Sequence, residues 1–286
     1  MFKKLLFAAL VALMAASCSK NSIPTAPVTV NVENFRITID TFSDTKSAVD
    51  PASYTYVSAL DLAFYNGDTQ VFKATQIKGD NTYTTFGQFS CSLPIGTYTL
   101  VAIGRANFEG DEFSLTSPTS ASYSSERPRE TFCYTQTVTI TNTSPLNLSI
   151  TLNRIVSAFK IVSTDNRPAE ITKVRTTYHK GSKSFSPTSG LGLDDEGFSQ
   201  INNPSTAVGA PIGVTSYVFL TSDEETMDVT IEALNNNNVV LYSKTLQNVT
   251  FKRNRMTRGQ GTVFSTTSSA GFQLETDWLE DSVIGL

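Results

Sequence analysis

Histidine, tryptophan and metal-ligand patterns are nearly missing from this chain, and their scarcity closes several routes to function. His179 is the only histidine, so a zinc site built on a histidine pair is excluded. A Ser-His-Asp arrangement could form only around His179. Its neighbours Tyr178 and Lys180-Gly181 read as a strand end entering a turn, and no G-x-S-x-G motif accompanies it, so a solvated surface histidine is the better reading. Asp194-Asp195-Glu196-Gly197 lacks the D-x-D-x-D alternation that lets side chains converge on Ca²⁺ and reads as a solvated loop, as does Asp223-Glu224-Glu225. The net charge is −4, and no basic patch with interleaved aromatics occurs, so nucleic acid is not an expected partner. No catalytic residue, metal or cofactor is assigned, and a non-enzyme is expected. Paired carboxylates that meet only in space lie beyond a linear reading.

Long apolar runs are equally scarce. One occurs, Leu5 to Ala16, after the positive pair Lys3 and Lys4 and before Ser17-Cys18. Twelve residues are too few for a membrane span, which needs about 20, but they suit the apolar core of a signal peptide. Ala15-Ala16-Ser17-Cys18 resembles the bacterial lipobox, with Ala15 where Leu is usual. That resemblance implies removal of residues 1–17 and lipid on Cys18, the chain's link to a membrane. Residues 18–27 have no apolar periodicity and read as a flexible tether. The chain beyond is expected to be soluble.

What the sequence has in quantity is alternation. Val28, Val30 and Val32 alternate, then Phe35, Ile37 and Ile39 alternate in the opposite parity, so a bulge or break is expected at Glu33-Asn34. Similar runs lie at 54–65, 71–75, 82–93, 97–104, 132–141, 146–152 and 155–163, and again at 171–178, 214–220, 227–234, 239–246, 261–264 and 272–278. Pro94-Ile95-Gly96 and Asn235 to Asn238 are turns. Only Ser58 to Phe64 is ambiguous between strand and helix. The pattern predicts an all-β chain of antiparallel sandwiches, divided near Asn153-Arg154 into residues 28–152 and 153–286 in preference to one large sandwich.

Two cysteines remain beyond Cys18. Export permits a Cys91–Cys133 disulfide, worth roughly 4 kcal/mol in the chain-entropy model. Strand phase argues against it, because Cys91 shares a face with Phe89 and Leu93 while Cys133 falls opposite Phe132, Val138 and Ile140. Both readings stand at this point. Trp278, the single tryptophan, reads as a core or edge residue of a sandwich rather than a ligand platform.

Several stretches taken together resemble the fimbrillin family, the type V pilins and associated subunits of Gram-negative surface fimbriae. They are the lipobox, VTVNVENF at 28–35, FGQFSCSLPIGTYTLV at 86–101, LNRIVSAFKI at 152–161 and FKRNRMTRGQGTVF at 251–264. The resemblance implies two transthyretin-like β-sandwiches acting as a structural subunit at the outer membrane or cell surface, partnered by other fimbrial subunits. It also implies cleavage by a trypsin-like protease that removes the first strand, whose groove a neighbouring subunit then fills. The matching basic residue is Lys46, in the polar stretch 43–48 expected to be a loop, with a solvated lysine as the other reading. Arg36, within the first strand, is the fallback. Burying the six alternating side chains of residues 28–40 is worth about 9–18 kcal/mol gross, against a net domain stability of roughly 5–15 kcal/mol. Loss of that strand would therefore leave an open, poorly stable domain. A host-surface or glycan ligand is compatible with this role. The alternative is a surface glycan-binding lipoprotein of a polysaccharide-uptake system, which a row of solvent-facing aromatics would favour.

Overall fold

The computed structural model describes residues 26–40, 46–265 and 273–276. Among the described residues there are twenty strands and no helix. The first half contains β1 (Val28–Asp40), β2 (Lys46–Val49), β3 (Ala59–Asn66), β4 (Thr69–Ile77), β5 (Phe89–Leu93), β6 (Gly96–Arg105), β7 (Phe113–Ser117), β8 (Ser120–Tyr123), β9 (Thr131–Ile140) and β10 (Leu146–Arg154). The second contains β11 (Ser157–Ser163), β12 (Lys173–Tyr178), β13 (Ser184–Ser186), β14 (Leu191–Gly192), β15 (Phe198–Asn202), β16 (Gly213–Val218), β17 (Glu224–Leu234), β18 (Val240–Lys252), β19 (Met256–Gly261) and β20 (Gln273–Thr276).

The parity slip in β1 is a bulge. Asn34 takes φ +52°, a left-handed conformation that Asn tolerates, and the register shifts between Glu33 and Arg36. One inserted residue turns the second apolar set onto the face of the first, and all six side chains end at most 5% exposed.

The first sandwich is one continuous sheet bent into two leaves. Its order is β2-β1-β10-β9-β6-β3-β4, with β5 also paired to β1. The leaves join where Asn153 and Arg154 of β10 pair with Cys133 and Phe132 of β9. Side chains from β1, β3, β6, β9 and β10 fill the core between them. The second sandwich packs β16-β11-β19-β20 against β15-β12-β17-β18 around Phe159, Tyr178, Ile231 and Phe251.

The sheets are not wholly antiparallel as expected. β1 runs parallel to β10, and β11 parallel to β19. Each half opens with a strand that pairs with a much later one in the same direction, an arrangement local alternation does not encode.

A fourth sheet, β14-β13-β8-β7, draws two strands from each half. It covers the outer faces of β3 and β6, so Ala63, Tyr65, Val101 and Ile103 pack with Leu115, Tyr123, Phe185 and Phe219 in a third core. Strand β3 is consequently buried on both faces along 59–65, which explains why its sequence shows a run instead of alternation and reads ambiguously. Asp61 within that run is neutralised by Arg105 at 2.7 Å. The preceding stretch, expected to be strand from Tyr54, is a turn instead, nucleated by Asp50, whose side chain accepts from the Ala52 amide at 2.8 Å.

Candidate functional site

The feature that links sequence to function is the seat of β1. On one side β1 pairs with β10 in parallel register, Val30 opposite Leu146 and Ile37 opposite Leu152. On the other side its first half pairs with β5, Val30 opposite Cys91, and its second half with β2, Ile37 opposite Val49. Both edges of the strand are thus hydrogen-bonded along most of its length. Inward, Val28, Val30, Val32, Phe35, Ile37 and Ile39 enter the core, and Phe35 meets the Phe89 ring at 5.5 Å. Outward, Asn31 Nδ2 donates to Asn147 Oδ1 at 2.9 Å and Ser90 Oγ donates to Asn31 Oδ1 at 2.9 Å. This polar ladder fixes the register that the apolar face fills.

The basic residues near this strand take different positions. Arg36 lies just after the bulge and is exposed on the outer face. Lys46 was expected in a loop, but it opens β2, opposite Asp40 in the register with β1. The short strand forms because Ser47, Ala48 and Val49 continue pairing along the edge of β1 that β5 leaves uncovered. Cys18, most of the tether and Trp278 lie outside the described residues.

Both remaining cysteines are free thiols, so the disulfide reading gives way to the two-thiol reading. Cys91 packs against the first core, whereas Cys133 belongs to the third and donates from Sγ to the Pro187 carbonyl at 3.4 Å. Burial pushes the Cys91 thiol up to about 11 and the Cys133 thiol up to about 12, which suppresses the nucleophilic thiolate. His179 is exposed, with Nε2 2.9 Å from Thr230 Oγ1. The acidic runs brace loops: Asp195 accepts from the Gly181 amide, Asp194 from the Ser182 hydroxyl, and Asp223 pairs with Arg253. Among the described residues no three His, Cys, Asp or Glu side chains cluster as a metal site.

Charged groups inside the fold were not singled out by the sequence. Arg154 Nη2 donates to Glu130 Oε1 at 2.7 Å and to the Tyr54 hydroxyl at 2.9 Å. Desolvation, then the Glu130 charge, raises the Tyr54 phenol far above its ordinary value. A trough of about 700 Å³ lies beside this network, between β9, β10 and the 187–190 and 253–254 turns. Arg253 crosses it, from Asp223 at 2.6 Å to the Ser189 carbonyl at 3.1 Å. Its walls bind one another and cement the two halves. Nothing in the sequence singled them out, since Glu130 lies between Arg129 and Thr131 and Arg253 between Lys252 and Asn254.

A family model described as a family of unknown function (DUF6562) matches residues 24–284. None of the curated proteins matches the chain. Among solved structures, a candidate adhesin from Bacteroides ovatus is similar at 13% identity and TM-score 0.50, over 82% of this chain and 87% of that one. A candidate polysaccharide-binding protein from Bacteroides thetaiotaomicron is similar at 11% identity and TM-score 0.50, over 89% of this chain and 99% of that one. The fimbrial anchor protein Mfa2 from Porphyromonas gingivalis has 10% identity and TM-score 0.49, over 88% of this chain and 98% of that one. The first two likenesses establish a shared fold with those proteins.

Proposed function

The chain belongs to the DUF6562 family, and from that premise and the seat of β1 we propose that it is a structural subunit of a cell-surface fimbria with a role in adhesion. The observation that carries this reading is β1 itself. It is a 13-residue strand, paired on both edges, with six apolar side chains at most 5% exposed. A strand of that kind is a separable plug, and its removal would leave a groove with free main-chain groups on β10 and β5 and six apolar slots. Another extended segment would satisfy both. The fimbrillin resemblance and the fold shared with a candidate adhesin support the same role.

In this reading the chain travels as a lipoprotein on Cys18, residues 28–152 and 153–286 are its two sandwich domains, and cleavage at Lys46 or Arg36 frees the groove. A cut after Lys46 releases the whole of β1 together with the lipid. A cut after Arg36 releases Val28, Val30, Val32 and Phe35 but leaves Ile37 and Ile39 in place, so it opens a shorter groove. If neither is cut, the same lipid is a permanent anchor at the outer membrane.

Limited trypsin treatment of the full chain in neutral detergent tests assembly. The expected result is a cut at Lys46 or Arg36 followed by oligomers that survive unheated SDS. A cut chain that stays monomeric, or a Lys46→Ala, Arg36→Ala double variant that assembles as well as the parent, would overturn strand exchange.

A further inference from the structure

A second, smaller cleft of about 160 Å³ opens where the first half meets β15 and β16. Tyr56 and Phe108 stand on its rim at 55% and 48% exposure, high for large aromatics. Arg129 covers one face of the Phe108 ring at 4.1 Å and is itself held by both its Nε and Nη2 on Asp111. Glu130, also in the wall, is engaged by Arg154. Arg127 differs from these groups, because no carboxylate pairs with it among the described residues. It donates through Nη2 to Asn202 Oδ1 at 2.6 Å. That bond leaves Arg127 Nε and Asn202 Nδ2 buried with no acceptor.

Two buried donors on neighbouring side chains ask for acceptor oxygens, since leaving such groups unpaired is costly and rare. Burial, and then the Arg129 charge, pulls Arg127 below the ordinary guanidinium value, with the Asp111 charge opposing both. The size limits the anion, because a cavity of about 150 Å³ holds one six-membered ring. An apolar rim beside a few convergent polar groups is the usual make-up of a small-molecule site.

We propose that this cleft binds one carboxylate-bearing sugar at the end of an acidic glycan, the carboxylate against the hydrogen-bonded Arg127–Asn202 pair, accepting from Arg127 Nε and Asn202 Nδ2, and the pyranose ring against Tyr56 and Phe108. The planar guanidinium and the amide present N–H groups to the carboxylate oxygens, which sets charge and orientation. The aromatic rim would cover the C–H face of the ring, and Thr215, which also lines the cleft, offers a hydroxyl to the ring's own hydroxyls. The site rests on the adhesive part of the proposed function and is independent of strand exchange.

Titration calorimetry on the uncut full chain in neutral detergent tests it, with methyl glucuronide, methyl glucoside and acetate as probes. Saturable binding of the glucuronide is expected, with both controls weaker by about tenfold or more. Arg127→Lys keeps the charge but removes the Nε donor, and Phe108→Ala trims an exposed ring. Each should weaken the glucuronide by about tenfold while leaving the thermal midpoint near the parent's. No saturable binding, equal binding of glucuronide and acetate, or unchanged affinity in both variants would overturn the site. Trypsin-induced assembly of Phe108→Ala should match the parent, so failure to bind and failure to assemble report on separate proposals.

Discussion

Arg154 and Glu130 form an ion pair at 2.7 Å with side chains 0% and 5% exposed, at the corner where β10 leaves the first sandwich. Arg154 also lies 4.9 Å from the centroid of the Phe132 ring and donates to Asn254 Oδ1 in the second half at 3.3 Å. The pair therefore ties the bend of the first sheet to the start of the second sandwich.

Removing one member should hurt more than removing both. Arg154→Met leaves the Glu130 carboxylate buried without its cation and should cost about 3–5 kcal/mol. Adding Glu130→Gln should recover part of that loss, because the uncompensated charge is then gone. Urea midpoints of the two variants and the double variant measure the coupling. Additive losses would show that the pair does not act as a unit.

The seat of β1 predicts a steep contrast between neighbours. Ile37 is fully buried opposite Leu152, so Ile37→Ala should cost about 2–5 kcal/mol. Arg36 points to solvent, so Arg36→Ala should change stability by no more than about 0.5 kcal/mol. Chemical denaturation of the uncut chain compares them, and similar losses in the two variants would contradict the placement of β1.

Asp111 should shape the acid limb of stability. Burial alone would raise its pKa, but hydrogen bonds from Ser125 and Arg129 outweigh burial and hold the carboxyl below its ordinary value. The folded state then binds fewer protons than the unfolded state, whose Asp titrates at about 3.9. The stabilisation is present above about pH 4 and disappears as pH falls through the depressed folded value. Asp111→Asn should lower stability at pH 7 by about 1–3 kcal/mol and make the decline from pH 5 to pH 3 shallower. Denaturation at those three pH values gives the comparison, and a variant with the parent's acid limb would assign that limb to other carboxylates.

Much of the first sandwich was legible in the sequence. The parity slip at Glu33-Asn34 marked a bulge or break, which the structure resolves as a bulge, and alternation on either side of it named the six inward side chains, because alternation is set by the pleat of a single strand. Strand phase also placed Cys91 and Cys133 on different faces. The strands β7, β8, β13 and β14 were not legible. They are 2–5 residues long, and the first three are rich in Ser, so they are too short for alternation to stand out. Yet they bury the outer faces of β3 and β6 and hold the two halves together.

The sequence by itself determined that this is a β protein, where most of its longer strands lie and which side of the first strand faces the core. Those properties depend on residues one or two positions apart. Only the tertiary structure decided that β1 runs parallel to β10, that Arg154 meets Glu130, and that Arg127 and Asn202 share a cleft. Asn31 bonds a residue 116 positions away, and Arg127 one 75 positions away. Such partners are chosen by how whole sheets close over a common core, a condition that no local pattern of side chains records.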